Sequence, residues 1–267
     1  MILEKIQKDY PNALCEREWQ LIMPHLPEDS LLGRPREHSW REIIDGIFYI
    51  LRSGCPWRYL PHDLPPWQSV YRDFRKLGDK AFWQKLNESL SVEVRLKEGR
   101  RTTPSAGVID SQTIKSTPTG SFHGYDAGKK TVGSKRHILV DTMGLLLGVV
   151  TPCASIVDCN GAKLVFDRAS ESIMTDSLEL VNGDGAYDRI CSYAAANEHN
   201  WRLEVLLKPA ESKSFVVIKR RWVVERTFGW LSANRRLARD YERLPESSET
   251  LVYIAMCRLM LKRLTNY

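Results

Sequence analysis

A chain of 267 residues and 30.7 kDa, 43% hydrophobic and 27% charged with a mean hydropathy of −0.35, can bury a sizeable core; this composition excludes wholesale disorder, collagen and a coiled-coil rod. No apolar run reaches the roughly 18 residues of a membrane span, the opening Met1–Gln7 lacks a signal-peptide core, and the six Cys hold no Cys-x-x-Cys pair. A reduced, soluble intracellular protein with neither disulfide framework nor zinc site is expected. The net charge of +6 is modest, but its distribution is not even. Ala127–Val140 holds four basic residues and no acid, Lys219–Arg243 eight basic against three acidic, and Asp158–Asp188 seven acidic against two basic. A polyanionic partner plus a cation site would account for this, as would solvated faces that cancel in space.

In chain order, the first hundred residues read as helical. Trp40–Arg52 sets Ile43, Ile44, Ile47, Phe48 and Leu51 at helical spacing and stops at Gly54. Cys55–Trp67 is too rich in proline for a helix or central strand. Gln68–Leu77 repeats Val70, Phe74 and Leu77 and carries Arg72, Arg75 and Lys76 outward; Phe82, Leu86, Leu90 and Val94 follow at four-residue spacing. A small bundle with one short basic helix suits a helix-turn-helix reader, and equally an amphipathic helix with a charged outside. A polar stretch at Lys97–Ser105, broken by Gly99 and Pro104, suggests a boundary between residues 1–100 and 101–267.

Beyond it the pattern turns to strands. Gly107–Asp110 is a short apolar strand, and His137–Asp141 and Leu145–Thr151 form a hairpin around Thr142-Met143-Gly144. Gly161–Ser170 and Arg189–Glu198 read as helices between strands Ser177–Val181 and Leu203–Leu207, with helices Ile218–Ser232 and Ser247–Leu264 to close. The order predicts an α/β layer on a mixed sheet.

Three carboxylates stand out. Asp110 and Asp184 each follow a strand, where sites of open α/β sheets gather, although a lone Asp there is commonly a turn or cap residue. Glu225 falls with Ile218, Trp222 and Gly229 on one helical stripe, which calls for a partner: Arg221 one turn earlier, or a metal. Gly124–Lys130 looks like a phosphate loop but is one residue short of the required spacing and lacks the following Ser or Thr. His137, beside Lys135 and Arg136, is either a phosphate contact or a partly buried neighbour. No Ser has a hydrolase setting.

The stretches Val108–Lys115, Gly124–Lys130, Gly133–Asp141, Asp184–Tyr187 and Arg220–Phe228, continued by Asn234–Glu242, together resemble bacterial insertion-sequence transposases of the IS5 group, within the DDE class. Gly54–Pro61 and Pro65–Arg75 extend the likeness in order over nearly the whole chain. The sequence departs from the wider signature at Ile218, where Tyr is usual, at Ser232, where Lys is usual, and at Gly183, where Ala is expected.

The resemblance implies a ribonuclease-H-like mixed sheet flanked by helices, preceded by a small all-α helix-turn-helix-like domain. It implies the triad Asp110, Asp184 and Glu225 holding two Mg²⁺ ions about 3.5–4 Å apart, with Mn²⁺ as a substitute. The activity would be cutting DNA at the element's ends and joining the 3′-ends to target DNA. The alternatives are a DNA-binding regulator with a weakened core and a ribonuclease-H-like nuclease. Double-stranded DNA, as terminal inverted repeats and target, is the expected partner, with a homodimer in the synaptic complex, no membrane, and a bacterial cytoplasmic, nucleoid-associated location. Expected DNA contacts are Arg72, Arg75, Lys76, Lys129, Lys130, Lys135, Arg136, Arg221, Arg235 and Arg236, with Lys115 near the carboxylates and Asp141 and Asp188 as rivals to the triad.

Overall fold

The computed structural model describes residues 10–28, 36–79, 81–117, 123–206 and 219–265. Four helices come first: α1 (Glu16–Ile22), α2 (Trp40–Ser53), α3 (Trp67–Asp79) and α4 (Phe82–Lys97). Helix α2 opens on a capping box in which Ser39 and Glu42 satisfy each other's backbone N–H, and ends where Gly54 takes φ 71°. The remainder alternates: β1 (Ala106–Lys115), β2 (Gly124–Asp126), β3 (Thr131–Asp141), β4 (Leu146–Val150), α5 (Asp158–Ser170), β5 (Leu180–Gly183), α6 (Ile190–Glu198), β6 (Arg202–Val205), α7 (Lys219–Ser232) and α8 (Pro245–Thr265). Ile218 of the predicted last-but-one helix lies outside the described residues.

The sheet runs β2-β3-β1-β5-β6, with β4 on the outer side of β3. β3 is antiparallel to β1, β2 and β4, whereas β5 is parallel to both β1 and β6. This is the ribonuclease-H-like mixed sheet. β1 runs past the predicted Asp110 because Ser111, Gln112 and Thr113, polar as they are, find ladder partners in His137, Arg136 and Lys135.

Helices cover both faces. Val108, Ile138, Val140, Leu146 and Val149 pack with α2, α3, α4, α7 and α8; on the reverse, Ile109, Leu139, Leu147, Val150 and Val181 pack with α5 and α6. Period-two alternation therefore buries both sides of the central strands. The change of composition at Lys97–Ser105 marks the passage from helices to strands, and one apolar core runs across it, with α4 lying along α8. A buried ion pair between Arg95 of α4 and Asp141 reinforces that seam; Asp141 also takes the N–H groups of Met143 and Leu145 and so shapes the predicted hairpin turn.

Candidate active site

Asp110 and Asp184 owe their proximity to strand register. β1 and β5 run parallel, with Val108 beside Asn182, and two residues further the same register sets Asp110 beside Asp184, just past the end of β5. Asp184 caps a short 3₁₀ turn, accepting the Ala186 N–H at 2.9 Å. Asp110 accepts the Ser111 N–H at 2.7 Å. Burial pushes the Asp110 carboxyl up to about 6, and the charge of Asp184 adds to this; the Ser111 N–H, Arg221 and Lys129 act the other way. Gly183 fits this corner closely. A Cβ there would lie 3.1 Å from Tyr187 and 3.2 Å from Ile109, so the departure from Ala suits the packing.

Helix α7 crosses β1 and the end of β5. Its buried stripe is Val224, Thr227, Phe228 and Leu231. The expectation that Glu225 sits on a buried apolar stripe is corrected: Glu225 and Gly229 are exposed, and Trp222 is 45% exposed under the Arg226 guanidinium. The expected pairing of Arg221 with Glu225 is also replaced, since Arg221 reaches Asp184 instead, Nη2 to Oδ2 3.5 Å. Four residues apart, Arg221 and Glu225 project to the same side of the helix. Among the described residues no three His, Cys, Asp or Glu side chains gather closely enough to hold a metal ion. Asp110 and Asp184 supply oxygen donors of the kind Mg²⁺ or Mn²⁺ accepts, but together with Glu225 they make no closed three-carboxylate cluster.

Behind Asp110, on the other face of β1, lies a buried polar network. Ser111 donates to Asp158 Oδ1 at 2.9 Å and Thr113 to Asp126 Oδ2 at 2.5 Å. Lys135 sits between the two carboxylates, 3.3 Å from Asp158 and 3.6 Å from Asp126, and donates to the Ile156 carbonyl. Burial opposes ionisation of Asp126, but the Thr113 hydroxyl, the Lys129 N–H and the charges of Lys135 and Lys129 hold it at about 2. Lys135 is therefore spent inside the protein. Arg136 projects to the opposite face, 1% exposed, with Gln112 Oε1 at 3.3 Å, and burial lowers its guanidinium to about 10. Both are buried, because a strand covered on both faces buries consecutive residues alike. His137 is also buried, and burial lowers its ring to about 4, which keeps it neutral and removes it as a phosphate contact. Lys129 and Lys130 remain exposed at the β2–β3 turn.

The other expected contacts divide in the same way. Arg72 and Lys76 are exposed on α3, whereas Arg75 donates to Ser247 Oγ at 2.7 Å and ties α3 to α8. Arg235 is exposed; Arg236 is buried, 2.6 Å from Glu242 and bonded to the Cys55 carbonyl, and so clasps the chain internally. Lys115 is exposed and five residues from Asp110, hence on the opposite face of the strand. Of the rivals, Asp141 is buried with Arg95, and Asp188 is exposed and accepts the Tyr193 hydroxyl at 3.1 Å. Trp222, exposed beside Glu225, was the residue the helical stripe hid.

Residues 101–260 match the family model described as "Transposase DDE domain", and residues 14–87 match one described as "Putative transposase of IS4/5 family". The chain is 28% identical over 112 residues to the "Insertion element IS402 uncharacterized 16.2 kDa protein" of Burkholderia cepacia, covering 38% of this chain and 72% of that one. Among the described residues no helix is long and apolar enough to cross a membrane.

Proposed function

From the premise that this chain belongs to the DDE transposase family, whose members act on DNA with divalent metal ions, we propose that it cuts DNA at the ends of its own insertion sequence and joins the 3′-ends to target DNA. The observation that carries this reading is the parallel register that sets Asp110 beside Asp184 under α7. Asp110, Asp184 and Glu225 would hold two Mg²⁺ ions, or Mn²⁺ in their place. When bound, such ions make water or a 3′-hydroxyl a stronger nucleophile and neutralise charge on the leaving oxygen of an in-line displacement.

The chain's own groups orient the DNA. Arg221 offers a guanidinium at the rim of the carboxylate pair, where a phosphate adds negative charge. Trp222 offers an aromatic face for a base next to the reacting phosphate. Lys129, Lys130 and Arg235 supply exposed cations, and Arg72 with Lys76 would approach the element's terminal inverted repeats. Two copies would meet in the synaptic complex, in the bacterial cytoplasm on nucleoid DNA.

One observation favours a second reading, a DNA-binding regulator with a weakened core: among the described residues Asp110, Asp184 and Glu225 do not gather into a three-carboxylate cluster. A cleavage and strand-transfer assay on labelled element ends separates the two. Asp110→Asn, Asp184→Asn and Glu225→Gln should each abolish both reactions while duplex binding persists or strengthens, and removing Mg²⁺ should stop the unchanged protein. A Glu225→Gln protein that transposes at the normal frequency would refute the three-carboxylate mechanism; an unchanged protein that binds ends but cuts nothing would favour the regulator.

A further inference from the structure

The β2–β3 hairpin departs from the rest of the sheet at its base. Gly124 lies opposite Gly133. A Cβ on Gly133 would lie 2.0 Å from the Ile114 carbonyl oxygen, and one on Gly124 would lie 2.5 Å from the Ser155 amide nitrogen. Only glycine lets the ribbon press against both neighbouring backbones here. Beyond this pair the ribbon folds back over the sheet. Asp126 is paired with Thr131, yet its carboxylate reaches Thr113, whose own ladder partner is Lys135, four residues further along β3.

The inner side of the ribbon is anchored. Asp126 receives the Thr113 hydroxyl, the Lys129 N–H at 3.0 Å and the Lys135 ammonium, which is fixed in turn by Asp158. The outer side is bare among the described residues. Tyr125 and Val132 face each other across the strands and are 55% and 57% exposed. Lys129 and Lys130 are exposed at the tip, and Asp126, which is buried, supplies the only acid between Gly124 and Gly133. Lys129 Nζ lies 3.3 Å from the Ser111 carbonyl, so the tip stands one residue from Asp110.

We propose that the hairpin Gly124–Gly133 is a rigid DNA-binding arm: Tyr125 and Val132 pack as an apolar pair in a groove of the duplex beside the reacting end, while Lys129 and Lys130 hold its phosphates. A two-stranded ribbon fits a DNA groove, and apolar side chains wedge against base steps there. The two exposed lysines outnumber the hairpin's single acid, which Lys135 also pairs, and favour a polyanion over an ordinary protein surface. The buried anchor means that little chain entropy is lost on binding. The inference rests on the reading of the protein as a DNA transposase.

The test is fluorescence anisotropy of the full chain, without metal, on a labelled duplex carrying the element's end. Tyr125→Ala/Val132→Ser should bind about tenfold more weakly with an unchanged salt dependence, since apolar contacts release no counterions. Lys130→Ala should weaken binding to all sequences alike and lower the salt slope by about one. Both apolar residues are exposed, so an unchanged melting temperature is expected and checks the fold. If the unchanged protein binds no duplex, the transposase reading falls and the arm with it. If it binds and the apolar double variant matches it within about twofold, the arm alone is overturned. A double variant that turns a dimer into a monomer with unchanged DNA affinity also overturns the arm, and assigns the pair to contact between copies.

Discussion

Arg221 reaches across to Asp184, with 3.5 Å between Nη2 and Oδ2, and leaves Glu225 on its own helix without a partner among the described residues. A local pair four residues apart on an exposed helix is worth only about 0.3–0.5 kcal/mol, so a tertiary carboxylate in a half-buried cleft outcompetes it. The consequence is a cation held beside the Asp110 and Asp184 carboxylates, where the proposed reading brings in DNA phosphate.

Arg221→Gln should therefore lower cleavage by roughly a hundredfold, the scale seen when one electrostatic contact to a reacting group is removed. Arg221→Lys should recover part of the loss, because it keeps the charge but not the planar fork. Single-turnover cleavage at saturating protein is the measurement. A rate within about twofold of the unchanged protein would make Arg221 a bystander.

Asp141 is a stability residue. It is fully buried, paired with Arg95 and bonded to two turn amides. Arg95→Leu removes the cation and leaves the carboxylate stranded, which should cost about 3–5 kcal/mol. Urea unfolding reads this directly, and the surviving folded fraction should still cleave DNA at a near-normal rate. A folded Arg95→Leu protein that is as stable as the parent would show that the seam between α4 and the sheet does not depend on the pair.

Glu249, near the start of α8, links pH to stability. Burial pushes its carboxyl up to about 7, Glu246 adds to this, and the Thr151 N–H at 2.9 Å and Arg168 at 3.6 Å counteract it only in part. The folded chain thus holds a proton that the unfolded chain releases near 4.5. This contribution is fully present below about 4.5 and is lost as the pH rises through about 7, a change on the order of 3 kcal/mol. Glu249→Gln should remove most of that slope and should be the more stable protein at pH 8. Parallel urea curves at pH 5 and pH 8 check it; identical pH dependence in both proteins would place the proton elsewhere.

Much of the fold is legible in the sequence wherever local chemistry decides it. Gly54 stops α2, Thr142-Met143-Gly144 turns the hairpin, and the strand–helix alternation predicts the mixed sheet. What local chemistry could not supply is coverage. The run Lys129, Lys130, Lys135, Arg136 looks like one basic surface, but the last two lie on a strand buried on both faces, where each guanidinium or ammonium finds an internal acceptor. In α7 the apolar residues allow two stripes, and packing against β1 selects the one through Val224 and Phe228, turning Glu225 and Trp222 outward. The meeting of Asp110 and Asp184 depends on a register between strands 74 residues apart, counted as 184 − 110, which no spacing within either segment reveals.

The basic face of α3 should divide into one part that reads DNA and one that holds the fold. Arg72 has a side chain 70% exposed with Asp73 at 3.4 Å, and Lys76 is exposed beside it. Arg75 is engaged with Ser247 at 2.7 Å and with Asp79 at 3.6 Å. Arg72→Ala and Lys76→Ala should therefore reduce the preference for the element's ends over random DNA by roughly 1–3 kcal/mol for every base the variant no longer reads. Arg75→Ala should leave that preference nearly intact and instead destabilise the α3–α8 packing by about 1 kcal/mol, one hydrogen bond. Competition binding with end and random duplexes, paired with urea unfolding of the same three variants, distinguishes these outcomes. Equal weakening on both DNAs for Arg72→Ala and Lys76→Ala would mean that α3 only grips phosphate; a selective loss of end preference in Arg75→Ala would put its guanidinium on a base and detach it from Ser247 in the complex.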